Sequence, residues 1–464
     1  MLYRLLRWLS AIALRWFYRE ILVEGLGRVP VDGPVLIAGN HPNALIDALV
    51  IGCVVPRPVT ITAKATLLDH PATRLLVRLV GIVPLRRASD EAAQSIDARP
   101  DRARNAQAFD AILDALGEGR AILIFPEGKS HDDPHLAPLK TGLARVALQA
   151  RDDRKITDLQ IVPVGLTFEK KWQPRSRIAV HVGEPISIDA AGPATPVGVA
   201  ALTTRLDERL REVTLNFDSR DDAERVLEVA TLLSGVLADI RPLHDPEPPL
   251  PETIRLARRV DQAWQRVPEL GADLGRRVEE FLRRLESLRD TAHANGIAIS
   301  DIGMDIRRRA GARFVVREAA IAAGAGPLAL WGRINHWIPL RLARWYALRG
   351  SRSPEDPAMY TIVGGLVFVL LFYAAQTLLV GALAGRWWAL AYVFTLPISA
   401  DWDFRYQERL ERGAQRTRSY LRFRRDPAFH QRLLDEARWL RDEAVALDRA
   451  ISPALEAQVL AVRR

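Results

Sequence analysis

A chain of 464 residues has room for two or three domains, or for one domain with a membrane-associated part, and 48% hydrophobic with 26% charged residues excludes wholesale disorder. The net charge of +9 suits an anionic partner, whether nucleic acid, lipid headgroups or a phosphorylated substrate. A single cysteine, Cys53 in the apolar stretch ALVIGCVV, excludes a disulfide framework and reads as a small buried hydrophobe.

Residues 1–25, MLYRLLRWLSAIALRWFYREILVEG, begin like a signal peptide. Arg15 and Arg19 interrupt the apolar run before it can span, however, and no small-residue cleavage site follows. At 100° per residue Arg4, Arg7, Arg15 and Arg19 fall within an arc of roughly 120°, with Leu6, Leu9, Ala13, Trp16 and Phe17 filling the remainder. The pattern predicts an amphipathic helix lying on a membrane surface, with docking on the protein's own core as the competing arrangement.

Over residues 26–200 short apolar runs alternate with helix-like segments. The runs PVLIAGN, RPVTITAK, AILIFPEG, LQIVPVGLTF and SRIAVHVGEP are rich in Val and Ile and end in Gly, Pro or Asn. Such alternation predicts an α/β domain, a mixed sheet flanked by helices, with its polar motifs at strand ends.

The first motif is GNHPNALIDA at 39–48. A six-residue step does not bring His41 and Asp47 to one face of a regular helix, so their contact needs a turn, which Pro42 and Asn43 supply before a helix starts. An Asp holding Nδ1–H of a His leaves Nε2 as a general base without its own nucleophile, so the substrate must bring a hydroxyl. In GIVPLRR at 81–87 an apolar run ends in Arg86 and Arg87, a weak signal taken alone. FPEGKSHDDPHLAPLKTG at 125–142 follows a strand with Glu127, Gly128, Lys129, Ser130 and His131, and reaches Lys140 just before a helix; this composition suits an anion such as phosphate. Metal ligation by His131, Asp132, Asp133 and His135 is the competing reading, weakened because adjacent Asp side chains diverge and no HExxH pattern occurs. The fourth, VPVGLTFEKKWQPRSR at 162–177, ends in Arg175 and Arg177.

From 201 to 350 arginine-rich helical periodicity replaces the strands, broken by the proline-rich RPLHDPEPPLPE, and predicts a helical accessory region with solvated charged faces. Residues 358–385 carry no charge and suffice for one transmembrane helix, and WWALAYVFTLPISA follows Arg386. A transmembrane or re-entrant hairpin is expected over 354–402, with a basic helical tail over 403–464. Arginines crowd both outer flanks, which places these and the catalytic domain on the cytoplasmic side.

The four motifs, in this order, resemble the glycerolipid acyltransferase family, which includes glycerol-3-phosphate and 1-acylglycerol-3-phosphate acyltransferases. Asn40, His41 and Asp47 match its first motif; Gly81, Val83, Pro84 and Arg87 its second; Phe125 to Gly128 its third; Val162 and Pro163 its fourth. Five residues separate His41 from Asp47 where most members have four, and Lys129, Ser130 and His131 stand where most continue Thr-Arg-Ser. Both departures resemble the fungal-type glycerol-3-phosphate and dihydroxyacetone-phosphate acyltransferases. The resemblance implies acyl transfer from an acyl-CoA or acyl carrier protein thioester to glycerol 3-phosphate or a related phosphorylated acceptor, in phospholipid synthesis at a membrane. It implies His41 as base and Asp47 as its orienting partner. Arg87 and Lys140 are the expected phosphate contacts, with Arg86, Glu127, Gly128, Ser130 and His131 completing the substrate-binding set. No metal or bound cofactor is expected. A lysophospholipid acceptor and a non-catalytic lipid-binding protein are the alternatives. A serine hydrolase is disfavoured by the lack of a GxSxG elbow, and a nucleic-acid binder by the lack of any zinc, helix-turn-helix or RNP-like motif.

Overall fold

The computed structural model describes residues 2–64, 83–85, 102–171, 173–189, 191–236, 250–264, 271–350 and 356–462. The chain divides into two compact units, residues 1–216 with 339–371, and residues 217–338 with 372–464.

The first unit is built on strands β1 (Glu20–Glu24), β2 (Val35–Gly39), β3 (Val59–Lys64), β4 (Val83–Leu85), β5 (Ala121–Ile124), β6 (Gln160–Phe168), β7 (Arg177–Val182) and β8 (Ile186–Ser187). Among the described residues the sheet order is β1-β7-β6-β2-β5-β3-β4, with β8 paired to β6. The β6–β7 and β6–β8 pairs are antiparallel and the others parallel, so the sheet is mixed. All five runs expected as strands are strands; β4 falls in the apolar run GIVPLRR, and β1 and β8 are additions.

Period-two alternation assigns the two faces. Leu36, Ala38, Ile122 and Ile124 point to one core, shared with α3 (Arg102–Gly117), α4 (Gly142–Asp152) and α5 (Pro196–Val213). Val35, Ile37, Ala121 and Leu123 point to the other, shared with α1 (Leu2–Phe17) and α2 (Ala44–Val54). Adjacent strands β2 and β5 therefore send their following helices to opposite faces. That divergence opens a crevice at their carboxyl ends, the usual ligand position in open α/β sheets.

Helix α1 docks on the protein's own core along one face. Ala13, Leu14 and Phe17 are buried in the second core, and the Arg7 guanidinium donates to Cys53 O at 3.0 Å and Val55 O at 2.7 Å. The helix ends before Arg19, so the basic stripe read at 100° per residue is only partly real. Arg4, Leu5, Trp8 and Arg15 form its exposed side.

The second unit is helical: α6 (Arg220–Val236), α7 (Leu250–Trp264), α8 (Ala272–Ala294) and α12 (Pro427–Val462) lie wholly within it. Phe281, Leu285, Leu288, Phe423, Leu433 and Leu440 belong to its core. Helices α9 (Arg308–Gly350) and α10 (Asp356–Ala384) contribute to both units, and α11 (Arg386–Arg425) continues without a break through Pro397 well beyond residue 402. Arg308–Arg349 and Thr361–Ala384 are long and apolar enough to cross a membrane. The first of these lies within the region the sequence assigns to the accessory helices. Along the parts of α9, α10 and α11 in the second unit, several polar side chains are buried and large apolar ones exposed. Asn335, His336 and Ser399 are buried, whereas Ile334, Trp337, Leu378 and Phe394 are exposed.

Candidate active site

The loop leaving β2 enters the crevice and carries His41. Asp47 lies in the first turn of α2, near the positive end of the helix dipole. His41 Nδ1 lies 2.9 Å from Asp47 Oδ2, the contact for which the sequence required a turn. The same Oδ2 accepts the Asn43 N–H at 2.7 Å, a capping-box-like bond from helix to loop. Asp47 is fully buried, and its Oδ1 has no hydrogen-bond partner among the described residues. Burial pushes the Asp47 carboxyl above its ordinary range, while the His41 hydrogen bond and charge pull it back. The His41 ring stacks on Phe125, centroids 4.0 Å apart and planes 7° apart, and nothing among the described residues hydrogen-bonds its Nε2.

Each N–H of the loop from His41 to Ala44 is held by a side-chain oxygen, Pro42 having none to offer. His41 N donates to Glu127 Oε1 at 2.7 Å, Asn43 N to Asp47 Oδ2, and Ala44 N to Ser130 Oγ at 2.9 Å. This pins an unfavourable backbone, since Ala44 has φ 46°, a left-handed value that costs a non-glycine residue about 1–2 kcal/mol. Asn40 fixes the loop's other end, exchanging bonds with Leu166 N at 2.7 Å and Leu166 O at 3.1 Å.

Glu127, placed by the sequence among the substrate contacts, is 2% exposed with both oxygens engaged within the protein. Beyond His41 N it accepts from Ala137 N at 2.8 Å and pairs with His131 Nε2. His131 therefore reaches Glu127, and its Nδ1 accepts from Asp133 N at 3.2 Å. These geometries make Glu127, Ser130 and His131 supports of the His41 loop. The metal alternative loses two of its four ligands to other partners, since Asp132 pairs with Lys171 and His131 with Glu127. Gly128 has φ 76°, and a side chain there would crowd Lys140, whose backbone N–H is bound to Pro126 O at 2.7 Å and whose own side chain is exposed. Arg86 and Arg87 lie outside the described residues.

The sequence missed Tyr18 and Lys171 and read Asn43 only as a turn residue. The Asn43 carboxamide donates to Tyr18 Oη at 3.1 Å and to Lys171 O at 3.4 Å. Lys171 stands in the basic block after β6, but the pair singled out there, Arg175 and Arg177, is structural: Arg177 grips Glu169 at 2.8 Å, and Arg175 Nη1 donates to Arg15 O at 3.1 Å.

A buried His–Asp pair at the carboxyl end of a central parallel strand, with no side-chain nucleophile on the histidine among the described residues, is an arrangement that can take a proton from an incoming hydroxyl. Residues 20–167 match the family model described as acyltransferase. The chain is 24% identical to an uncharacterized acyltransferase of Schizosaccharomyces pombe over 39% of this chain and 38% of that protein. It is 39% identical to glycerol-3-phosphate O-acyltransferase 2 of Saccharomyces cerevisiae over 18% of this chain and 11% of that one. A 1-acyl-sn-glycerol-3-phosphate acyltransferase of Borreliella burgdorferi is 28% identical over 34% of this chain and 53% of its own length. The chain thus spans less than two thirds of the length of each of these relatives. Among solved structures, the 1-acyl-sn-glycerophosphate (LPA) acyltransferase PlsC of Thermotoga maritima aligns with TM-score 0.33 and 18% identity, covering 44% of this chain and 76% of that one.

Proposed function

We propose that this protein is a membrane-associated O-acyltransferase that moves an acyl group from a thioester to a hydroxyl of glycerol 3-phosphate or a closely related phosphorylated acceptor. The observation that carries the reading is the 2.9 Å His41–Asp47 contact in the crevice beside β2. His41 Nε2 takes the proton of the acceptor hydroxyl as its oxygen attacks the thioester carbonyl. Collapse of the tetrahedral intermediate breaks the carbon–sulfur bond, and the thiolate leaves with the proton His41 had taken. Asp47 keeps Nδ1 protonated and stabilises the imidazolium between the two transfers. Acyl-CoA or acyl carrier protein supplies the thioester. Lys140, exposed beside Gly128, together with Arg86 and Arg87, is assigned to the acceptor phosphate. The fungal relative's name and the longer His41–Asp47 spacing favour glycerol 3-phosphate. Membrane residence is supported by the two long apolar helices, and a cytoplasmic catalytic unit by the arginine-rich flanks.

The test is acyl transfer by the purified full-length protein, with glycerol 3-phosphate, dihydroxyacetone phosphate and lysophosphatidate offered in parallel. Glycerol 3-phosphate is expected to be the best acceptor, and His41→Ala to lower turnover by about 10²- to 10⁴-fold. Faster transfer to lysophosphatidate would replace the acceptor assignment with the lysophospholipid one. No transfer to any of the three would overturn the reaction class.

A further inference from the structure

Tyr18 follows α1 directly, is 1% exposed, and takes part in the hydrogen bonding that reaches Asp47. Its O–H donates to Lys171 O at 3.0 Å, and its oxygen accepts from Asn43 Nδ2 at 3.1 Å. The Asn43 backbone N–H then donates to Asp47 Oδ2, the oxygen that also holds His41 Nδ1. Among the described residues Oδ1 has no hydrogen-bond partner, so the hydrogen bonds that orient the Asp47 carboxylate there are those two. One comes from the mobile partner of the reaction, the imidazole. The other comes from a loop residue whose side chain is tethered to Tyr18 and to Lys171 O.

The same helix grips the other end of α2. Arg7 donates to the carbonyls of Cys53 and Val55, where α2 terminates, while Tyr18 meets Asn43, where α2 begins. Helix α1 thus clamps the Asp47-bearing helix at both ends, and its opposite side exposes Arg4, Leu5, Trp8 and Arg15.

We propose that Tyr18 is a positioning residue for the His41–Asp47 pair, so that the N-terminal helix sets the geometry of the general base in addition to any contact it makes with lipid. The inference rests on the acyl-transfer reading above. A phenyl ring would fill the Tyr18 site equally well, since Phe17 and Phe168 pack against the ring with centroids 4.8 and 5.8 Å away. What the hydroxyl adds is the tether on Asn43. Losing it lets the loop with its left-handed Ala44 relax and the Asp47 carboxylate swing away from His41. Small displacements of a catalytic base cost as much as 10²-fold in rate.

The test uses the full-length protein in lipid nanodiscs and four variants: Tyr18→Phe, Asp47→Asn, the double variant and His41→Ala. Tyr18→Phe is expected to lower kcat roughly 10-fold with KM for acceptor and thioester unchanged, because the tether acts on the base and touches neither substrate. In the Asp47→Asn background the same substitution should have no further effect, since Tyr18 acts only through that carboxylate. A purely structural tyrosine would lower activity by the same factor in both backgrounds, and that result overturns the proposal, as does a wild-type kcat in Tyr18→Phe beside an inactive His41→Ala. Wild-type turnover in His41→Ala would instead remove the dyad reading on which the proposal stands. If Tyr18→Phe does not fold, Asn43→Ala, which keeps the N–H on Asp47 and removes the tether, is run through the same cycle with the same criteria.

Discussion

Asp47 is buried, with one doubly bonded oxygen and one that has no hydrogen-bond partner among the described residues, an arrangement that folding disfavours and that is characteristic of functional sites. Burial raises its folded pKa above the unfolded value. The stability linked to this group is therefore present below the unfolded pKa and lost as pH rises through the folded one. Asp47→Asn removes that loss. The variant is expected to gain thermal stability relative to wild type as pH increases from about 4 towards neutrality, while its turnover falls by about 10²-fold. Unfolding curves across pH, paired with acyl-transfer rates, measure both. A variant destabilised at neutral pH would show that the carboxylate stabilises the fold. Glu127 illustrates the limit of motif reading at this scale. Phe-Pro-Glu-Gly at a strand end reads identically whether the carboxylate faces a ligand or lies beneath three donors. Only the convergence of His41 N, Ala137 N and His131 on its two oxygens separates these roles.

Helices α9, α10 and α11 hold a polar layer among apolar surfaces. Tyr392 O–H donates to Asn335 Oδ1 at 2.5 Å, Asn335 Nδ2 to Trp331 O at 2.8 Å, and His336 bonds Gly332 O at 2.7 Å and Tyr373 Oη at 2.6 Å. In lipid such bonds hold helices together, yet each contributes only about 0.6 kcal/mol on average. Close approach is expected to contribute more here. A Cβ on Gly332 would clash with the Ser399 carbonyl oxygen, so α9 and α11 approach closely through backbone atoms there. Gly332→Ala should force them apart and cost about 1–3 kcal/mol, more than Asn335→Leu. Thermal unfolding of both variants in detergent tests the order, and a larger loss in Asn335→Leu would place the weight on the polar layer instead. Sequence patterning legibly delivered α10, an uncharged run. It did not deliver the apolar part of α9, because the arginines of its first turns dilute the signal of a single long helix.

At the scale of the whole chain, α9 exposes Trp331, Trp337 and Trp345 and the start of α11 exposes Trp387 and Trp388, a residue type enriched at membrane interfaces. The intact protein is expected to stay in the membrane fraction through high salt and alkaline carbonate and to require detergent for release. Release by salt alone would reduce its attachment to electrostatic contact of basic segments such as the exposed side of α1.

The strands β2, β3, β5, β6 and β7, the mixed sheet and the His41–Asp47 pairing were legible in the sequence because each rests on local order: runs of Val and Ile, bounded by Gly or Pro, and a turn built by Pro42 and Asn43. What tertiary structure decided is which distant groups meet. Tyr18 reaches Asn43 across 25 residues, His41 N reaches Glu127 across 86, and Asn43 reaches Lys171 across 128. The same holds for α1, whose apolar side could serve lipid or core equally by pattern. Its docking followed from a complementary surface on α2 and the sheet, and from two orphan carbonyls at the end of α2 within reach of Arg7. A hydrogen-bond donor binds whatever acceptor folding brings within about 3 Å, and that proximity is a property of packed elements, which no local periodicity encodes.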